Sequence, residues 1–172
     1  MSERKCERVG ELDSQEESKK AVAKAMSLLL QQDRTYNELQ ERLCRVGFSE
    51  QAVESAMSYV MSYGYIDDYR YASNYILFHK KSRSRKELWH KLKNKGIESD
   101  ILTQVFEEYE SSDEEEAIHN CLTKRLKSKR VSDLSYEEQN KVIGYLARKG
   151  YALPAIKRVM RAFKEYESSE NL

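Results

Sequence analysis

The sequence predicts an all-α fold, an elongated, curved array of three tandem three-helix repeats. Three observations carry this expectation. The 172 residues include six glycines and one proline, too few for the frequent turns of an all-β chain. Three segments share a skeleton of apolar residues four apart on either side of a glycine. They are Leu39, Leu43, Gly47, Phe48, Val53 and Met57; Leu88, Leu92, Gly96, Ile97, Leu102 and Phe106; and Val142, Leu146, Gly150, Tyr151, Ile156 and Met160. The three glycines stand 49 and 54 residues apart. Finally, tetrads of the form Ser/Thr-x-x-Glu precede these helical patterns, and that tetrad is the capping box of a helix start.

The elements follow in order. Residues 1–14 are polar, and a flexible lead is expected. A helix over about 15–32 opens at Ser14-Gln15-Glu16-Glu17. The next opens at Thr35-Tyr36-Asn37-Glu38 and closes at Gly47, a left-handed C-cap that glycine adopts without steric penalty. Ser49 caps a third helix, completing a unit at 15–64. Asp67 caps a helix over 68–81, with Ile66 placed to staple onto Tyr71. Ser84-Arg85-Lys86-Glu87 opens the helix that ends at Gly96, and one more completes 65–111. Ser112-Asp113-Glu114-Glu115 opens a helix over 113–129. Ser135-Tyr136-Glu137-Glu138 opens the one that ends at Gly150, and Pro154 sits in the first turn of the last, where proline is tolerated. This third unit covers 112–166, and a flexible tail is expected at 167–172. A three-helix unit of about 50 residues has little core of its own, so neighbouring units must stack.

The chain carries 30 Lys+Arg against 29 Asp+Glu, but the charge is segregated. Lys80, Lys81, Arg83, Arg85, Lys86, Lys91, Lys93 and Lys95 are interrupted by one acid, Glu87, giving +7 between positions 80 and 95. Seven acids and no base follow between Glu107 and Glu116. That run is expected to be an inter-repeat junction rather than a mask over the basic segment. Further basic residues are Lys124, Arg125 and Lys127, then Arg148 and Arg158. Basic surfaces of this kind gain affinity for polyanions by releasing counterions and steer association with acidic partners. The competing expectation is that they are solvated helix faces.

Tyr59, Tyr63, Tyr65, Tyr69, Tyr71, Tyr75 and Phe78 are crowded together, and at helical spacing such rings are expected to fill gaps between helices. Trp89 is expected to anchor one helix on another. Cys44 and Cys121 fall in apolar patterns and are expected to be buried thiols, while Cys6 lies in the charged lead. An odd number of cysteines without CxxC spacing suits a reducing, cytoplasmic setting. No window approaches the roughly 18 apolar residues of a membrane span, and the short run Ala25–Leu30 is no secretory signal. His79, His90 and His119 lie in no zinc spacing, and Asp67-Asp68 suits a helix cap better than a metal pair. Phosphate-loop, dinucleotide and nucleophile-elbow motifs are absent. No enzyme activity, catalytic residue, metal or cofactor is expected.

Gly64-Tyr65-Ile66-Asp67-Asp68, followed by Tyr71-Ala72 and Tyr75, resembles the signature of the RecX regulatory proteins. The stretch through Leu88, Leu92 and Lys95-Gly96-Ile97 is similar to that family's next motif. The resemblance spans about 20–165 and departs at Ser84, where the family often has glycine in the basic loop. It implies a protein that binds the RecA recombinase and the RecA–single-stranded DNA filament and restrains ATP hydrolysis, strand exchange and co-protease activity. The setting it implies is DNA repair, homologous recombination and the SOS response. The basic residues named above would then face the filament, with at most weak direct DNA contact, no membrane, and a monomeric chain. The signature residues Tyr65, Asp67, Asp68 and Ala72 are assigned to capping and packing. The alternative is a direct DNA-binding helical-repeat protein that acts without RecA.

Overall fold

The computed structural model describes residues 3–108, 111–127 and 129–169, with side chains described throughout except at 3–13 and 111–113. Nine α-helices and no strand occur among the described residues. They are α1 (Glu3–Gln31), α2 (Tyr36–Val46), α3 (Glu50–Ser62), α4 (Asp68–His79), α5 (Arg85–Asn94), α6 (Ser99–Glu107), α7 (Ser111–Leu126), α8 (Tyr136–Arg148) and α9 (Leu153–Ser169). The chain forms two compact units, Met1–Ala72 with Lys93–Ile101, and Ser73–Leu92 with Leu102–Leu172.

The twelve helical positions of the glycine-centred skeleton, from Leu39 to Met160, are all buried. In the first unit they join Ala21, Ala25 and Leu28 of α1 and Ala52, Ala56 and Val60 of α3. The alanines leave little side chain between α1 and α3, which pack closely. In the second unit, Val142, Leu146, Ile156 and Met160 meet Ala117, Ile118, Cys121 and Leu122 of α7, with Val131 and Leu134 from the α7–α8 loop. Removing a leucine side chain of this kind from water contributes roughly 2 kcal/mol.

Three of the five tetrads cap their helices as expected, at Thr35, Ser84 and Ser135, and two of these do more. Thr35 Oγ1 accepts from Glu38 N at 3.2 Å and also donates to the Lys95 carbonyl at 2.6 Å. Ser84 Oγ accepts from Glu87 N at 3.1 Å and donates to the Lys149 carbonyl at 2.6 Å. Both hydroxyls belong to fully buried residues. In each case the N-terminus of one helix meets the carbonyl just before a left-handed glycine, Gly96 (φ 82°) or Gly150 (φ 92°). The positive helix end thus faces the negative one, and orphan donors and acceptors are satisfied together. Ser84 therefore has a role that glycine, without a hydroxyl, could not supply.

Several expectations are corrected. The first helix starts at Glu3, not near residue 15, so residues 3–13 of the lead are helical. Ser14 is no cap; its hydroxyl donates to Gln51 Oε1 at 3.3 Å. Side chains with no apolar period but good helix propensity (Glu, Arg, Lys) favour this extension. Cys44 is exposed, because Leu39 and Leu43 take the buried face and the next residue turns away from it. The middle helix stops at His79 and α7 at Leu126, after which Lys127 adopts φ 56°. Of the tail, α9 continues to Ser169 and Glu167 is buried, while 170–172 lie outside the described residues. The side chains of Cys6, Ser112 and Asp113 also lie outside them.

Asp68 has a task the sequence does not show. Asp67 caps α4 through Arg70 N at 2.9 Å, but Asp68 Oδ1 accepts from Tyr36 N, at the start of α2, at 2.9 Å. Burial pushes the Asp68 carboxyl above the ordinary aspartate value. The Tyr36 N–H opposes this, and the carboxylates of Asp67, Glu38 and Glu98 add to the rise. Asp68→Ala is expected to lower stability by about 1–2 kcal/mol, because a half-buried N–H loses its acceptor. Asp68→Asn keeps an acceptor and is expected to be at least as stable as the wild type at pH 7. A carboxyl raised in the fold favours folding most below its unfolded value of 3.8, and that contribution is lost as pH rises through the folded value. The advantage of Asp68→Asn, read from urea midpoints, should therefore shrink as pH is lowered towards 4.

Candidate functional site

The basic residues between positions 80 and 95 divide between the two units. In the second unit, Lys81 Nζ meets Glu116 Oε1 at 3.0 Å and Arg83 pairs with Glu87 one turn along. The Arg85 guanidinium lies 5.2 Å over the Phe106 ring, and Trp89 lies 5.4 Å from the same ring between centroids. Trp89 thus anchors α5 to α6, as expected. The Lys86 stem lies against Gly150, where an added Cβ would come within 3.0 Å of it. Lys80 and Lys91 are half-buried. Burial, with the Arg83 and Lys91 cations, holds His79 below the ordinary histidine value against the pull of Glu87. That shift reports the positive field of this segment.

In the first unit, Lys93 Nζ donates to Ser99 Oγ at 2.7 Å. Lys95 Nζ donates to Glu38 Oε1 at 2.6 Å and lies 5.3 Å over the Tyr71 ring. Burial alone would lower the Lys95 ammonium, but Glu38 and the Tyr71 hydroxyl hold it above the ordinary lysine value. The +7 count, which already includes Glu87, therefore overstates the free charge, since Lys81 and Lys95 each face a carboxylate from outside the segment. Exposed pairs such as Lys81–Glu116 are worth at most about 1 kcal/mol, so an external anion can replace the acid.

The other basic set is different. Lys124 and Arg125 stand in the last turn of α7, Arg148 and Lys149 at the end of α8, and Lys127 just beyond α7. None of Lys124, Arg125, Lys127, Arg148 and Lys149 is ion-paired with a described acid. Arg158 is held by Glu115 Oε1 at 2.8 Å. The Arg125 guanidinium lies 4.2 Å and Lys149 Nζ 5.6 Å from the centre of the Tyr145 ring. The sequence singles out Lys149 as one of a basic set in the last helix pair, but not Tyr145 beside it. Their spacing of four on α8, opposite the basic last turn of α7, was the available signal.

The aromatic stretch is mostly exposed, which corrects the packing expectation. Tyr59, Tyr63, Tyr65, Tyr69 and Phe78 are all exposed, Phe78 by 79%, while Tyr71 and Tyr75 are half-buried. Tyr59 and Tyr63 lie 4.7 Å apart between ring centroids, and Tyr63 and Tyr65 5.9 Å. The face of α3 that meets the core carries Ala52, Val53, Ala56, Met57 and Val60 instead. Among the signature residues, Gly64 adopts φ 67°, Ile66 packs on the first core and Ala72 is fully buried. Tyr65, by contrast, faces outward. No group of His, Cys, Asp or Glu able to hold a metal occurs among the described residues. No described helix is long and apolar enough to cross a membrane.

Comparison with known proteins gives one consistent result. Residues 113–160 match the family model for RecX, third three-helix domain. The chain is 31% identical over 163 residues to the regulatory protein RecX of Amycolatopsis mediterranei, covering 89% of this chain and 90% of that one. Identity to RecX of Clostridium perfringens is 25% over 166 residues, 95% of this chain and 78% of its relative. For Bacillus licheniformis RecX it is 28% over 162 residues, or 93% and 61% of the two chains. The crystal structure of RecX from Lactobacillus salivarius superposes with a TM-score of 0.76 at 22% identity, over 87% of this chain and 97% of that one. A second crystal structure of a regulatory protein RecX gives 0.78 at 18% identity, over 89% and 76%. These two likenesses bear on the fold, an all-α helical repeat. The relatives are named as regulatory proteins rather than as enzymes. With 31% identity along nine-tenths of a relative, this chain belongs to the RecX family of regulatory proteins.

Proposed function

We propose that this chain binds the RecA recombinase and its filament on single-stranded DNA, and mostly inhibits RecA ATP hydrolysis, strand exchange and co-protease activity. Family membership is the observation that carries the proposal. Surface chemistry supports it: basic side chains are spread over both units, and many are exposed. Such surfaces suit a partner assembly that is itself rich in phosphates and carboxylates. The proposed chain acts as a monomer in the cytoplasm, built of repeats at 15–64, 65–111 and 112–166.

Retention on RecA filaments tests this. The wild type is expected to co-sediment with filaments assembled on single-stranded DNA. The triple variant Lys86→Glu, Lys91→Glu, Lys93→Glu should bind roughly tenfold or more weakly, since reversal puts like charges against the partner. Its circular dichroism should match the wild type. Unchanged retention by the folded variant removes these three residues from the contact surface. A direct DNA binder acting without RecA would instead bind bare DNA to the same extent as filaments.

A further inference from the structure

We propose that the second compact unit carries a binding site for the phosphodiester backbone of a single nucleic-acid strand, where Lys124, Arg125 and Lys149 converge beside Tyr145. The site is a cavity of about 310 Å³ that also includes Ser82, Asn120 and Cys121 in its wall. It deepens the filament proposal and rests on it only for its setting; binding at the site itself needs no RecA.

The walls of the cavity are held in place. Asn120 Nδ2 donates to the Lys81 carbonyl at 3.0 Å, and Ser82 Oγ donates to the His79 carbonyl at 3.1 Å. Lys149 sits at the helix end that Ser84 clamps through the Lys149 carbonyl at 2.6 Å. Tyr145 is anchored at its hydroxyl, which lies 3.8 Å from Cys121 Sγ. Its ring carries two cations, the Arg125 guanidinium at 4.2 Å and Lys149 Nζ at 5.6 Å. This keeps both groups at the cavity although neither meets a described carboxylate.

Charge arithmetic favours an anion. The cations lie at the C-terminal ends of α7 and α8, each of which contributes about half a negative charge. Three full positive charges exceed that sum, so the cavity stays cationic. A guanidinium beside ammonium groups suits phosphate oxygens, because Arg offers paired N–H donors and Lys a mobile point charge.

The aromatic content selects between the two macromolecules that carry such anions. Protein interfaces draw their energy from buried aromatic or aliphatic anchors. Tyr145 is the one aromatic ring in this wall, and cations already lie against it. It is therefore unsuited to anchor a peptide or to stack a base. Nucleic-acid interfaces are polar and strongly positive, and contacts to phosphates alone carry no sequence preference.

The test is fluorescence anisotropy with a labelled 20-mer of thymidylate, without RecA, across 50–200 mM salt. Arg125→Gln and Lys149→Gln are each expected to weaken binding about fivefold at the low-salt end, and to reduce the slope of log K against log salt by about 0.7 per lost phosphate contact. Lys124→Gln, at an exposed position, should act in the same direction, whereas Lys24→Gln on α1 should leave both quantities unchanged. A folded Arg125→Gln/Lys149→Gln variant with wild-type affinity and slope overturns the proposal. So does loss of binding to an oligoglutamate peptide with thymidylate binding intact, which would assign the cavity to an acidic protein segment. RecA ATPase is read in parallel: inhibition retained by variants that no longer bind the 20-mer supports a separate phosphate site. Absence of inhibition by the wild type sinks the RecA proposal and leaves this one standing on its own data.

Discussion

Gly96→Ala is expected to lower unfolding stability by about 3 kcal/mol, whereas Gly47→Ala should cost about 1 kcal/mol. Both glycines hold the left-handed conformation, φ 82° and 98°, so both substitutions meet the same backbone penalty. The surroundings differ. At Gly47 an added Cβ meets nothing within 4 Å, but at Gly96 it would lie 2.3 Å from Asn37 Cβ and 2.5 Å from Asn37 Cγ. Those atoms belong to the first turn of α2, which cannot retreat without pulling Thr35 off the Lys95 carbonyl. That bond contributes about another 1 kcal/mol. Urea midpoints for the two variants check the claim. Equal losses would show that the Thr35–Lys95 joint yields freely, and that backbone conformation alone governs both positions.

Glu167→Ala should also be damaging, at about 2–3 kcal/mol, because it leaves the buried Val131 N–H without a partner and gives up the second bond to Ser132. Glu167 is buried and its carboxylate accepts from Val131 N at 2.8 Å and Ser132 N at 2.9 Å. It thereby pins the α7–α8 loop that contributes Val131 and Leu134 to the core. Burial alone would raise this carboxyl. The backbone N–H groups of Ser132 and Val131, the Ser132 hydroxyl and the Arg130 cation outweigh burial and hold it below the ordinary glutamate value. A carboxyl depressed in the fold stabilises above its unfolded value of 4.5, and that contribution is lost as pH falls through the folded value. The stability gap between wild type and Glu167→Gln should therefore be constant near neutrality and narrow below pH about 4.5.

Much of the fold was legible because it is written in local periods. Residues four apart, closed by a left-handed glycine and opened by a capping tetrad, need no knowledge of distant chain. What was hidden depends on distant partners. A capping hydroxyl announces the N–H it accepts, three residues on, but not the carbonyl it donates to. The bonds Thr35–Lys95 and Ser84–Lys149 were therefore invisible, as was the reach of Asp68 to Tyr36. The tyrosines misled for a related reason. Tyr59 and Tyr63 do share a helix face, but spacing does not say whether that face or the one with Ala52, Ala56 and Met57 meets the core.

The candidate site shows the same limit. Net charge over a segment counts residues, whereas a surface is set by which of them meet acids from other elements. Glu116 and Glu38 answer Lys81 and Lys95, so the richest basic stretch is partly neutralised. The smaller set at the ends of α7 and α8 keeps its charge beside Tyr145. Net charge alone would have ranked the two the other way.

The activity proposed for this RecX-family chain is restraint of RecA. Steady-state ATP hydrolysis by RecA on single-stranded DNA, with this chain present well below the RecA concentration, tests it most directly. A marked fall in hydrolysis, together with retention of the chain on filaments, is the predicted result. Unchanged hydrolysis at every ratio up to one chain per RecA, with no retention, would contradict it.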